Sequence, residues 1–156
     1  MFYLGDHTTD YKERFRIAAY TEKWAVTMTK VRIRQAVAHA PFPRWRFVSF
    51  AGPDGGESRG AVDLVAIRKD HSECKGLKRG DAFQIILIQV KGGYAAKPTA
   101  EDGIRLRTVA RLHHARGVLL ASWKKGAAAK FYTLRPKAAM GQGDWVEVED
   151  LKPIFC

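Results

Sequence analysis

The sequence predicts one α/β domain built on a central mixed sheet flanked by helices, in the order α-β-β-β-α-β. Three observations lead there. A long helix-forming stretch opens the chain, and three strand-like segments follow it without an intervening helix. A second helical pattern then separates the third strand from a continuous apolar segment, as a crossover to a buried parallel strand requires. The 156 residues suffice for one domain with a real core and are too few for two ordinary ones, so residues 1–156 are read as a single unit.

The first helix is expected over residues 10–39, with Pro41 and Pro43 ending it. At 3.6 residues per turn, Tyr11, Phe15, Ala18, Ala19, Glu22, Val26, Thr29, Ile33 and Val37 share one face. Ile17, Tyr20, Trp24, Met28, Val31 and Ala38 share the opposite one. Two apolar stripes call for cover on two sides. One cover is the sheet; the other is a second copy of the chain or the C-terminal segment. Glu22 breaks the first stripe, where a carboxylate is costly unless it is paired or holds a cation.

Strands are expected at 44–50, 61–67 and 83–91. The first alternates Trp45 and Phe47 with Arg44 and Arg46, and the third is rich enough in Ile, Leu and Val to be central. Residues 68–81 form a polar connection. Thr99 opens the second helix, with Glu101 and Asp102 in its first turn and a capping box between Thr99 and Asp102. Leu106, Val109, Ala110 and His113 share its packed face, which makes His113 a core histidine, and Gly117 ends it. Residues 118–123 form the buried parallel strand, and 131–134 and 145–148 add short edge strands.

The net charge of +11 and a pI near 9.9 argue for a polyanionic partner. No apolar run is long enough to span a bilayer, so no membrane partner is expected. Residues 1–10 carry acidic and polar groups where a secretory signal needs an apolar core, so a cytoplasmic protein is expected. Cys74 and Cys156 make no disulfide framework. His71 and Cys74 have ligand-like spacing, but no second pair completes a zinc site.

Strand alternation places Gln89 and Lys91 on one face at the end of an otherwise apolar strand. Asp63 shares a face with Ala61, Val65 and Ile67 and is likewise an acid among apolar residues. A hairpin would bring the three together. The Asp63 carboxylate suits Mg²⁺ or Mn²⁺, Gln89 offers a neutral oxygen, and the Val90 backbone carbonyl lies between the two polar side chains. Lys91 would orient a water and offset charge on a phosphodiester. The competing reading is a plain Asp63–Lys91 salt bridge.

The run Gly60-Ala61-Val62-Asp63-Leu64-Val65-Ala66-Ile67 and the later Ile88-Gln89-Val90-Lys91-Gly92-Gly93 together resemble the PD-(D/E)XK nuclease superfamily, with its restriction-endonuclease-like fold. The resemblance implies a Mg²⁺- or Mn²⁺-dependent endonuclease hydrolysing DNA, in a restriction-like, junction-resolving or repair-like role, and acting as a dimer. It implies Asp63, Gln89, Lys91 and Glu22 as the catalytic set, with Asp63, Gln89, Val90 and Glu22 holding the metal. Gln89 departs from the usual Asp or Glu and resembles the Mrr-type restriction enzymes. The missing charge gives Glu22 more weight. Pro53-Asp54 is read as a turn rather than as the motif, and Glu57 is a similar distractor. A site weakened by Gln89 would leave a catalytically inactive nucleic-acid-binding module. A protein-interaction domain meeting an acidic partner is the third reading.

Phosphate contacts need Lys and Arg. Arg59, Lys97, Arg105 and Arg107 are the flanking candidates, and Lys69, Lys78 and Arg79, with Arg68 and Lys75, would reach across a duplex. Tyr94 is placed to stack on a base or sugar.

Overall fold

A computed structural model describes residues 7–40, 43–50, 60–93, 98–124, 126–137 and 144–156, with the side chains of 7–12 and 15–21 left aside. The first helix, α1, runs His7–Ala36. Three strands follow: β1 (Arg46–Ser49), β2 (Leu64–Lys69) and β3 (Phe83–Gly92). Helix α2 (Ala100–Leu112) leads to β4 (Gly117–Trp123), β5 (Lys130–Leu134), β6 (Trp145–Val148) and a short α3 (Lys152–Phe155).

The six strands form one mixed sheet in sequence order, β1-β2-β3-β4-β5-β6. Four of the five pairings are antiparallel; β3 and β4 run parallel, with Gln89 opposite Leu120 and Lys91 opposite Ser122. The single parallel pair is the one joined through α2, since parallel neighbours need a crossover and hairpins do not. The expected α-β-β-β-α-β order is present.

Each face of the sheet buries one layer. Ala25, Val26 and Ile33 of α1 sit with Leu64, Ala66, Ile86, Ile88 and Val90 on one side. Leu106 of α2 sits with Leu87, Val118 and Leu134 on the other, and Val109 and Ala110 close over it. Period-two alternation along β3 therefore sends Ile86, Ile88 and Val90 to α1, and Leu87, Gln89 and Lys91 to α2.

Thr29 of the first helical stripe is a polar residue satisfied within the core. The Thr29 hydroxyl donates to the Ala25 carbonyl (2.7 Å) and accepts the Trp123 indole N–H (2.9 Å), tying α1 to β4. The second stripe is only part covered. The Trp24 ring meets Trp123 edge-on at 5.3 Å, yet Trp24 remains 45% exposed.

Three expectations need correction. The last helix was not foreseen: Pro153 sits in its first turn, and Phe155 is fully buried. The Phe155 carbonyl accepts the Trp45 indole N–H (2.6 Å) and the Arg68 guanidinium (3.1 Å), which itself lies 4.4 Å over the Trp45 ring. Helix α2 stops at Leu112, and Gly117 begins β4 instead of ending the helix. His113 is the C-cap and is exposed, because the helix ends before its face reaches the sheet. Strand β2 also starts three residues later than expected, which leaves Asp63 just outside the regular ladder. Among the described residues, no helix is long and apolar enough to cross a membrane.

Candidate active site

The local irregularity at Asp63 builds the site. Its N–H donates to the Ile88 carbonyl (3.0 Å), and its carbonyl accepts the Phe50 N–H (3.0 Å). The regular register pairs Leu64 with Ile88, so the bond from Asp63 to Ile88 is one residue out of step. The regular β2–β3 ladder ends at Leu64 opposite Ile88, and beyond it the Asp63 side chain supplies the next contact to β3. Its Oδ2 accepts the Val90 N–H at 2.8 Å, in place of a backbone partner. The carboxylate is nearly buried, with Asp63 8% exposed.

The orientation of Val90 follows from that bond. In a strand, the N–H and C=O of one residue point the same way across the ladder. The Val90 N–H faces Asp63, so its carbonyl also faces that side, while its side chain lies in the α1 core. Asp63 has no further backbone donor for that carbonyl, because its N–H is spent on Ile88.

Gln89 projects to the α2 face and is 5% exposed. Its Oε1 is buried without a hydrogen-bond partner. An orphaned buried acceptor costs about 1–3 kcal/mol, so the site calls for a donor or a cation.

Lys91 is half-buried on the same face. It makes no salt bridge to Asp63, which removes the plain ion-pair reading of the two. It lies instead within electrostatic reach of Asp102 at the start of α2. The expected capping box is there: Thr99 Oγ1 accepts the Asp102 N–H (3.2 Å), and Asp102 Oδ2 accepts the Thr99 N–H (3.0 Å). The Thr99 backbone bond is the main force holding the Asp102 carboxyl below the usual range, with Lys91 and Arg105 adding to it. The capping box was legible in sequence as a helix start; its placement beside Lys91 was not.

Glu22 lies one turn before Val26 on α1 and is half-buried. That helix covers the face opposite to Gln89 and Lys91. No hydrogen bond or salt bridge joins Glu22 to Asp63, Gln89 or Lys91.

The binding candidates divide. Arg105 is exposed at the start of α2, 3.7 Å from Asp102. Arg107 is put to another use: its Nε donates to the Arg135 carbonyl (2.7 Å) and its guanidinium pairs with Asp144 (2.8 Å), with the side chain 12% exposed. It ties α2 to the β5–β6 hairpin, and this engagement competes with the expected phosphate contact. Lys69, Lys78 and Arg79 are exposed but do not flank the site. They lie at the other end of the β2–β3 hairpin, about 20 Å from Asp63 at strand rise. Arg59, Tyr94 and Lys97, with Asp54 and Glu57, lie outside the described residues.

The donor set suits a hard divalent cation. It comprises one carboxylate, one backbone carbonyl and one orphaned amide oxygen, all oxygen, from β3 and the residue just before β2. Among the described residues no three His, Cys, Asp or Glu side chains gather to hold a metal, so the carboxylate count is low for such a site.

No protein-family model matches the chain, and no curated protein matches it. Solved structures do. One is Hjc from Archaeoglobus fulgidus, a Holliday junction resolvase from an archaeal hyperthermophile, with 18% identity, a TM-score of 0.44, and 85% of this chain and 88% of that chain covered.

Proposed function

We propose that the chain is a divalent-metal-dependent nuclease that hydrolyses phosphodiester bonds in DNA. The observation that carries this is the orphaned Gln89 Oε1, at the β3 position next to the Asp63–Val90 bond. Asp63, Gln89 and the Val90 carbonyl would hold Mg²⁺ or Mn²⁺, with Glu22 as a further ligand. A cation held there supplies Lewis-acid polarisation of the phosphodiester and makes water a better nucleophile.

The chain's own groups divide the remaining work. Val90 N–H fixes one Asp63 oxygen, so the carboxylate turns in one direction only. Lys91 offsets the charge that grows on the phosphoryl oxygens and orients the attacking water. Arg105 contributes a phosphate contact at the rim, and Arg59, Lys97 and Tyr94 are proposed to line the same approach. Two copies of the chain, meeting over the exposed Trp24 side of α1, would set one site against each strand of a duplex.

The decisive experiment is cleavage of linear, branched and single-stranded DNA with Mg²⁺ or Mn²⁺. Asp63→Ala and Lys91→Ala should each abolish cutting and leave binding intact. Residual cutting by both variants would rule the site out. A second reading rests on Gln89: with one carboxylate in place of two, the chain would bind DNA with a weakened or silent site. Salt-sensitive binding without cleavage of any substrate would select it.

A further inference from the structure

The far end of the β2–β3 hairpin has a form that the catalytic reading does not use. Residues 70–82 are braced from within. Asp70 N–H donates to the Ala82 carbonyl (2.8 Å), Gly80 N–H to the Asp70 carbonyl (2.8 Å), and Leu77 N–H to the Cys74 carbonyl (3.1 Å). Two of the three acids in this segment are spent on those turns. The Asp70 carboxylate accepts the Ser72 N–H (2.9 Å) and hydroxyl (2.6 Å), and Asp81 accepts the Lys78 N–H (2.7 Å). Lys69, Lys75, Lys78 and Arg79 are left exposed around them.

Two large apolar side chains stand among these cations. Leu77 is 50% exposed at the tip, and Phe83 is 57% exposed at the foot, directly opposite Lys69 in the ladder. Phe83 belongs to the strand that supplies Gln89 and Lys91, whose next residues are increasingly buried. An aromatic face beside several cations, on a rigid support, offers bases something to stack on and phosphates something to pair with. Paired bases in a duplex hide their faces; unpaired ones expose them.

We infer that the Phe83–Leu77 end of the hairpin binds an unpaired DNA strand leading away from the cleavage site. Phe83 stacks on a base, Leu77 lies against the next sugar or base, and Lys69, Lys75, Lys78 and Arg79 hold the phosphates. This rests on the nuclease reading for the direction of the strand, but the binding is independent of catalysis.

The test is fluorescence anisotropy in EDTA with two labelled probes: a blunt duplex, and the same duplex carrying a ten-nucleotide single-stranded tail. The wild-type chain should bind the tailed probe more tightly. Phe83→Ala should remove that preference, with a loss of about ten-fold on the tailed probe and none on the blunt one, while Phe83→Trp retains it. The triple variant Lys75→Ala, Lys78→Ala, Arg79→Ala should lower the salt slope on the tailed probe by about two. Phe83 is exposed, so a melting curve like the wild type's is expected of its variants. Equal affinity for both probes in the wild-type chain, or an unchanged preference in Phe83→Ala, would overturn the inference. Absence of cleavage with the tail preference intact would overturn only the nuclease reading.

Discussion

The Asp63 carboxylate and the Val90 N–H share a 2.8 Å hydrogen bond that takes the place of a ladder bond between β2 and β3. This one contact does two things. It satisfies a buried N–H beyond the end of the regular ladder, and it turns the Val90 carbonyl to the same side. Structural and catalytic roles of Asp63 are therefore separable by substitution.

Asp63→Asn keeps an acceptor for Val90 and removes the charge; Asp63→Ala removes both. We expect DNA cleavage to be lost in each. Thermal stability should fall by about 1–3 kcal/mol in the alanine variant and by much less in the asparagine variant. Equal destabilisation in calorimetric melts would show that the Val90 bond does not matter to the fold.

Gln89→Glu should raise Mn²⁺ affinity by ten-fold or more in a calorimetric titration, because it restores a carboxylate to the donor set. It should also lower the metal-free melting temperature, since a buried charge is then added to the core. Gln89→Leu should do the reverse: no metal binding, and a metal-free fold at least as stable, because the orphaned acceptor is gone. An unchanged titration in Gln89→Glu would place the cation elsewhere.

Arg105 and Arg107 are two residues apart and should behave oppositely. Arg107→Ala is expected to cost about 1–3 kcal/mol of stability, because Asp144 and the Arg135 carbonyl lose their donor, with no change in the salt dependence of DNA binding. Arg105→Ala should leave the melt unchanged and reduce the salt slope by nearly one. The reverse pattern would return Arg107 to the binding surface.

The capping box makes an acid-side prediction. The folded-state Asp102 carboxyl titrates below its unfolded value, chiefly through the Thr99 N–H. Its contribution is then fully present above the unfolded value near 4 and is lost as pH falls through the folded one. Melting temperatures of Asp102→Asn should therefore run below the wild type's at pH 5 and converge with them towards pH 2. A constant difference across that range would refute the linkage.

Much of this was legible along the chain, because local chemistry carries it. Thr99 and Asp102 announce a helix start by their spacing, and alternation on β3 assigns Gln89 and Lys91 to one face. The end of α2 was misread because Gly117 is as suited to opening a strand as to ending a helix. Helix α3 was missed because four residues carry no periodicity; Phe155 is held by Trp45 and Arg68, which lie far away in sequence.

The sequence by itself determined the element order, the basic charge and the residue types able to bind a cation, since these follow from periodicity, caps and composition. Only the tertiary structure decided how they meet. A one-residue slip at Asp63 turns its carboxylate toward the Val90 N–H, and Asp144 draws Arg107 away from the surface. Each is a contact between segments distant in sequence, set by strand register and helix placement and not by local pattern.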